Sequence, residues 1–184
     1  MNDLESLKRL LMERSVKTGH FVLASGKTSN IYIDARLTTM SPEGMRLIGT
    51  LALEKIQSAG WNPDSIGGLT LGADPVSFAI SYASADTEKP LRAFTVRKEP
   101  KTHGTGNLIE GPFSVHDRVV VIEDVITTGK SALQAIEAVR RLGADVAGVL
   151  AVVDREEGGI QTIRSSGCEV VALMSIRSLT PSSS

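Results

Sequence analysis

Three observations predict an α/β fold in which a mostly parallel sheet is flanked by helices. From residue 66 onward, strand-like and helix-like segments alternate. The strand-like segments are uninterrupted β-branched runs such as Val119-Val120-Val121-Ile122, the composition of strands covered on both faces. Stretches rich in glycine, hydroxyl or charged residues fall where these strands end, the edge at which such sheets bind ligands.

Taken in order, Leu4, Leu7, Leu10 and Leu11 form an apolar stripe among Glu5, Lys8, Arg9 and Glu13, which predicts an amphipathic helix from Asp3, its N-cap, to about Val16. Phe21-Val22-Leu23 and Ile31-Tyr32-Ile33 then fit a hairpin joined by a polar turn over 25–30. Ser41 followed by Pro42 marks a helix start, and Met45, Ile48, Ala52 and Ile56 mark one face of that helix, ending near Gly60. Strands are expected at 66–71, 91–96, 119–122, 146–153 and 170–174, with helices near 75–85, 130–142 and 159–166. With no repeat or linker, the chain reads as one domain over 1–184, with a frayed tail at 181–184.

Composition excludes several function classes. A formal net charge of -1 gives no global field for nucleic acid or an anionic membrane, and neither is expected as a partner. The single cysteine, Cys168, forms no internal disulfide and belongs to no metal cluster; its apolar neighbours suggest a buried structural thiol. An acidic N-terminus without a signal-like apolar core and no membrane-spanning run predict a cytoplasmic protein.

The chemistry centres on residues 119–131, a strand, an acidic pair, a hydroxyl-glycine turn and a helix. The amides of Thr127, Thr128, Gly129 and Lys130 would meet a phosphate at a helix N-terminus, with Thr127, Thr128 and Ser131 adding hydroxyls. Gly129 permits a positive φ or a close approach to a ligand. Glu123 and Asp124 are acceptors suited to sugar hydroxyls or to the water shell of magnesium. The inferred ligand is a sugar phosphate. A P-loop is rejected, because Asp124 stands where that motif needs glycine. The plainer alternative is an ordinary strand-to-helix turn with Asp124 as a cap.

Three further segments carry signals. Gly67-Gly68-Leu69-Thr70-Leu71-Gly72-Ala73-Asp74-Pro75 ends a strand in small residues that let amides approach an anion, or that simply relieve crowding. Arg97, Lys98, Lys101 and His103 precede the hinge-like Gly104, Gly106 and Gly111 in a gap of roughly twenty residues between strands, long for a compact domain; this predicts a lid over a polyanion at about 97–112. Asp154-Arg155-Glu156-Glu157-Gly158-Gly159 offers a guanidinium fork for a carboxylate, with a capping Asp154 and a solvent-exposed Arg155 paired to Glu156 or Glu157 as the plainer alternative. His20 and His116 read as surface or structural residues, and core packing is one reading of Tyr32.

Residues 119–131 resemble the phosphoribosyl-diphosphate (PRPP) signature of the type I phosphoribosyltransferases. Residues 25–34 (Ser-Gly-Lys-Thr-Ser-Asn-Ile-Tyr-Ile-Asp), 97–104 (Arg-Lys-Glu-Pro-Lys-Thr-His-Gly) and Asp154-Arg155 narrow the resemblance to the orotate phosphoribosyltransferases. The resemblance implies the type I phosphoribosyltransferase fold with a small N-terminal hood, mainly 1–40, and transfer of ribose 5-phosphate from PRPP to orotate. It implies Mg2+ held mainly by PRPP and water, near Glu123 and Asp124, and a homodimer whose lids cover each other's sites.

By the same resemblance Glu123 and Asp124 would face the ribose, and Val125, Ile126, Thr127, Thr128, Gly129, Lys130 and Ser131 the 5'-phosphate. Arg97, Lys98, Lys101 and His103 would meet the diphosphate together with the loop containing Gly72. Thr127 and Arg155 would face orotate, and Tyr32 and Lys27 would lie nearby. Lys101, His103 and Asp124 are the catalytic candidates. The chain departs from some members at Ala24 and Leu71, where those carry lysine. A transferase for another base, or a non-catalytic PRPP-sensing regulator, are the alternatives; the basic lid and the lack of a basic face argue against the regulator.

Overall fold

The structure, a computed structural model, describes residues 2–22, 28–99 and 108–180. Helix α1 (Asp3–Arg14) leads into a two-stranded antiparallel sheet of β1 (Val16–Val22) and β2 (Thr28–Ile33). Its N-cap is Asn2 rather than the expected Asp3: the Asn2 side chain accepts the Glu5 N–H at 2.8 Å, and Asp3 is the first helical residue. β1 also starts earlier than Phe21, because Val16, Lys17 and Thr18 already pair with Ile33, Tyr32 and Ile31. The short α2 (Arg36–Thr39), absent from the sequence expectation, turns the chain into α3 (Pro42–Ser58), which Ser41 caps as expected by accepting from Gly44 N–H.

A six-stranded sheet follows, in the order β5-β4-β3-β6-β7-β8. Strands β3 (Ser65–Leu69), β4 (Arg92–Val96), β6 (Arg118–Ile126), β7 (Asp145–Asp154) and β8 (Val170–Ser175) run parallel, and only β5 (Ile109–Glu110) is antiparallel. Helices α4 (Ala73–Ala83), α5 (Lys130–Arg141) and α6 (Gly159–Arg164) lie in the crossovers. From β3 the strand order runs one way to β4 and the other way through β6 to β8, so a topological switch falls between β3 and β6. That is the position at which parallel sheets open a crevice beyond their carboxyl ends.

The β-branched run of β6 splits the core in two. Val120 and Ile122 join the apolar cluster under α1, α3 and α4, while Val119 and Val121 join the one under α5 and α6. Strict alternation would return Ile126 to the first cluster, yet it packs in the second, and Val125 packs on the first. The pattern therefore shifts by one residue across Glu123 and Asp124. The strand was expected to stop at Ile122 because charge follows four apolar residues. It continues because backbone pairing, blind to side-chain charge, runs on to Val125 opposite Val153 and Ile126 opposite Asp154. In β3 the reverse occurs, the strand ending at Leu69 rather than residue 71.

Candidate active site

The cleft at the switch has a volume of about 340 Å³ and is walled by the ends of β3 and β6, the turn into α5, Lys98, Arg155 and the hood residues Tyr32 to Arg36. The acidic pair forms its floor. Glu123 is buried, and its carboxyl is pushed up to about 8, first by loss of hydration and then by the neighbouring Asp124 charge. Asp124 is also raised, chiefly by burial, although it accepts the Val125 N–H at 2.8 Å and feels the Arg36 charge, both of which oppose the rise. Burial thus pushes both adjacent carboxyls toward holding a proton, Glu123 being the more buried, while the Val125 N–H and the Arg36 charge favour the ionised form of Asp124.

The turn that follows is set by Gly129, which has φ 84°. A Cβ there would lie 2.9 Å from the Gly159 carbonyl oxygen and 3.1 Å from Ile163 Cγ1. The close approach is thus to α6, which supports the loop from behind, as well as to any ligand in front. Thr127 and Ser131 line the cleft, whereas Thr128 and Lys130 are exposed outside it. Ile126, grouped by sequence with the phosphate loop, is a core side chain; only its backbone serves the site, accepting the Arg155 N–H at 2.9 Å.

The loop after β3 reaches the cleft through Leu69, Thr70, Leu71 and Gly72. Gly72 has a specific steric reason: a Cβ would sit 2.5 Å from Asp124 Oδ1. Gly67 and Gly68 instead lie within the buried strand, where a Cβ would meet Phe94 and Ile122, so these two relieve crowding rather than meet an anion. Asp74, given no role from sequence, clasps this loop to the end of β4 by accepting from Thr70 Oγ1 at 2.7 Å and Thr95 Oγ1 at 2.9 Å.

The predicted lid leaves the end of β4 and returns in β5, which pairs with it. Val96 pairs with Ile109 and Thr95 with Glu110, and the Arg97 N–H donates to the Leu108 carbonyl at 2.8 Å. β5 left no sequence signal, because two paired residues are too few to make a pattern. Lys98 lines the cleft, its carbonyl held by Gln134 Nε2 at 3.2 Å. Arg97 lies outside the lining, 3.7 Å from Glu110. Lys27, Lys101 and His103 fall outside the described residues.

Arg155 is neither freely solvated nor pointed at an empty face. Its side chain is 9% exposed, its Nε lies 2.9 Å from Glu157 Oε1, and its Nη2 approaches the Ile31 carbonyl at 3.4 Å and Ser29 Oγ at 3.5 Å. The expected pairing with a neighbouring glutamate is present, and so is the approach to the hood. Tyr32 lines the cleft beside Phe21, ring centroids 5.6 Å apart, rather than entering the core. Asp154 accepts the Glu156 N–H at 2.9 Å and so caps a turn, not α6. Cys168 is buried as expected, with Arg140 Nη2 3.2 Å from its sulfur, and His20 and His116 are exposed.

Sequence reading missed Arg36. Its guanidinium lines the cleft and grips Asp34 by two bonds, Nε to Oδ1 at 2.8 Å and Nη2 to Oδ2 at 3.0 Å. That pairing holds the Asp34 carboxyl below its ordinary range. The available signal was opposite charges two residues apart directly after an apolar strand.

The chain is 46% identical over 182 residues to the orotate phosphoribosyltransferase of Aquifex aeolicus, covering 97% of this chain and 98% of that one. The orotate phosphoribosyltransferases are its family. It is 41% identical to the Rhodopirellula baltica orotate phosphoribosyltransferase over 95% of its length and 93% of the relative's. Among solved structures, the Mycobacterium tuberculosis orotate phosphoribosyltransferase in complex with PRPP aligns with a TM-score of 0.80 at 37% identity, covering 97% of this chain and 99% of that one. No family model matches the chain. Membership of the orotate phosphoribosyltransferases agrees with the mostly parallel sheet flanked by helices.

Proposed function

We propose that this orotate phosphoribosyltransferase transfers ribose 5-phosphate from PRPP to orotate, giving orotidine 5'-phosphate and diphosphate, the step that forms the pyrimidine nucleotide. The observation that carries the reading is the acidic pair on the floor of a cleft bounded by a glycine-hydroxyl turn on one side and by the hood and Arg155 on the other. Asp124 accepts the ribose hydroxyls. Glu123, holding its proton, donates or accepts without adding a second negative charge beside the diphosphate. Thr127, Ser131 and the amides of the turn bind the 5'-phosphate. Arg155 and Tyr32 face orotate, the guanidinium meeting the orotate carboxylate.

As the bond from the ribose C1 to the diphosphate lengthens, positive charge develops on the sugar and negative charge on the departing oxygens. Lys98 at the cleft edge, with Lys101 and His103 of the lid, stabilises the departing charge most when the lid is closed and water is excluded. Among the described residues no group of three or more histidine, cysteine or acidic side chains could enclose a metal. Asp124 beside the substrate cleft fits a magnesium ion carried mainly by PRPP oxygens and waters. When bound, that ion would offset charge on the diphosphate.

The active form is a homodimer whose lids serve each other's sites. The exposed Leu37, Met40, Phe78 and Tyr82, around α2 and on α4, supply apolar surface that a second copy would cover. No helix among the described residues is long and apolar enough to cross a membrane, and the reaction is assigned to the cytoplasm.

The test follows orotate absorbance with PRPP and magnesium, beside hypoxanthine, uracil and a metal-free control. Magnesium-dependent loss of orotate alone is expected. Turnover of another base would reassign the substrate, and PRPP binding without any turnover would make the protein a PRPP sensor.

A further inference from the structure

Leu71, in the loop after β3, stands 53% exposed in the cleft wall and brings no charge to it. We infer that Arg36, which lines the same cleft, is a further diphosphate-binding residue that acts beside the lid cations. The inference rests on the reading of this cleft as the PRPP site.

The geometry is specific. Arg36 and Leu71 both line the cleft, and Asp124 links them, its carboxylate packed against Gly72 and within electrostatic reach of Arg36. Asp34 engages only Nε and Nη2 of the guanidinium, and its Oδ1 also accepts the Arg36 backbone N–H at 3.2 Å. Of the five donors of an arginine, the two on Nη1 and one on Nη2 remain for a ligand. Asp34 fixes the plane of the fork in advance, so little side-chain entropy is lost when an anion arrives.

The other described cations of the cleft are less suited to the task. Arg155 is assigned to orotate and lies on the hood side, its Nη2 3.4 Å from the Ile31 carbonyl. Lys98 stands exposed on the lid side. Without Arg36, Asp34 and Asp124 would meet an incoming polyanion as two acidic side chains, which repel it.

The decisive measurement is calorimetric binding of pyrophosphate, with magnesium, to the full-length protein and its variants, beside Michaelis constants for both substrates. Arg36→Ala should weaken pyrophosphate binding and raise the PRPP Michaelis constant by about tenfold or more, as loss of a charge-assisted bond requires, and leave that of orotate within about twofold. Leu71→Lys added to Arg36→Ala should recover most of the pyrophosphate affinity, a rescue that a merely structural role for Arg36 would not give. An Arg36→Ala protein that binds pyrophosphate like the unaltered one, or a Leu71→Lys addition without rescue, overturns the inference and leaves the transferase reading standing. Unaltered protein that neither binds pyrophosphate nor consumes orotate overturns both.

Discussion

The two walls of the cleft are made in different ways. The loop wall, Glu123 to Ser131, is a single run of chain leaving β6 and entering α5, held from behind by α6. The hood wall is assembled at long range: Tyr32, Asp34 and Arg36 come from the small separate sheet and its exit, and that sheet meets Arg155, more than a hundred residues later, through Ser29 Oγ at 3.5 Å and the Ile31 carbonyl at 3.4 Å. The loop wall presents donors and acceptors from one run of chain, whereas the hood wall depends on contacts between segments far apart in sequence. Such a division suits a reaction that must grip a phosphate firmly yet admit and release a base.

Four substitutions test this contrast, in decreasing order of expected effect. Asp124→Asn removes the acceptor proposed to face the ribose and should lower kcat/KM for PRPP by roughly 10²–10³, the scale for losing one preorganised group at a reacting centre. Near-UV circular dichroism should be unchanged, and unchanged kinetics would remove Asp124 from the mechanism. Arg155→Ala acts on the hood wall and should raise the orotate Michaelis constant by about 10- to 100-fold, from a charge-assisted bond worth about 1.5–3 kcal/mol. Equal loss toward PRPP would mean that the two walls are not separable.

Gly129→Ala forces a side chain into a left-handed conformation and against α6. It should destabilise the fold by roughly 1–3 kcal/mol in chemical denaturation and weaken PRPP binding. A neutral result would show that α6 gives way and that the loop wall is not rigid.

The last substitution is read through pH. Because the folded-state pKa of Glu123 is raised from 4.5 to about 8, the folded protein binds more protons than the unfolded chain between those values. Its contribution to stability is complete below about pH 4.5 and is lost as pH rises toward 8, with a slope of at most ~1.4 kcal/mol per pH unit. Glu123→Gln should flatten melting temperature against pH over this window; an unchanged profile would show that the proton is not held by Glu123.

Much of this was legible in the chain. The order of the longer strands and helices, the helix start at Ser41 and the buried Cys168 all follow from periodicity and local chemistry, and those signals survive folding because each depends on neighbours in sequence. Element ends were less legible: β6 continues through its acids because its pairing with β7 depends on the backbone, and β5 exists only because β4 offers an edge.

The sequence by itself determined the loop wall, since a strand, two carboxylates and a glycine-bearing turn occupy adjacent positions and need only local geometry to face one ligand. Tertiary structure alone decided which acid keeps its proton, why Gly129 and Gly72 must lack a side chain, and that Arg36 belongs to the site. These depend on desolvation, on atoms of α6 and Asp124 drawn against each backbone, and on a fold that brings residues 29–36 to residue 155. Distance in space, which no local pattern encodes, governs all three.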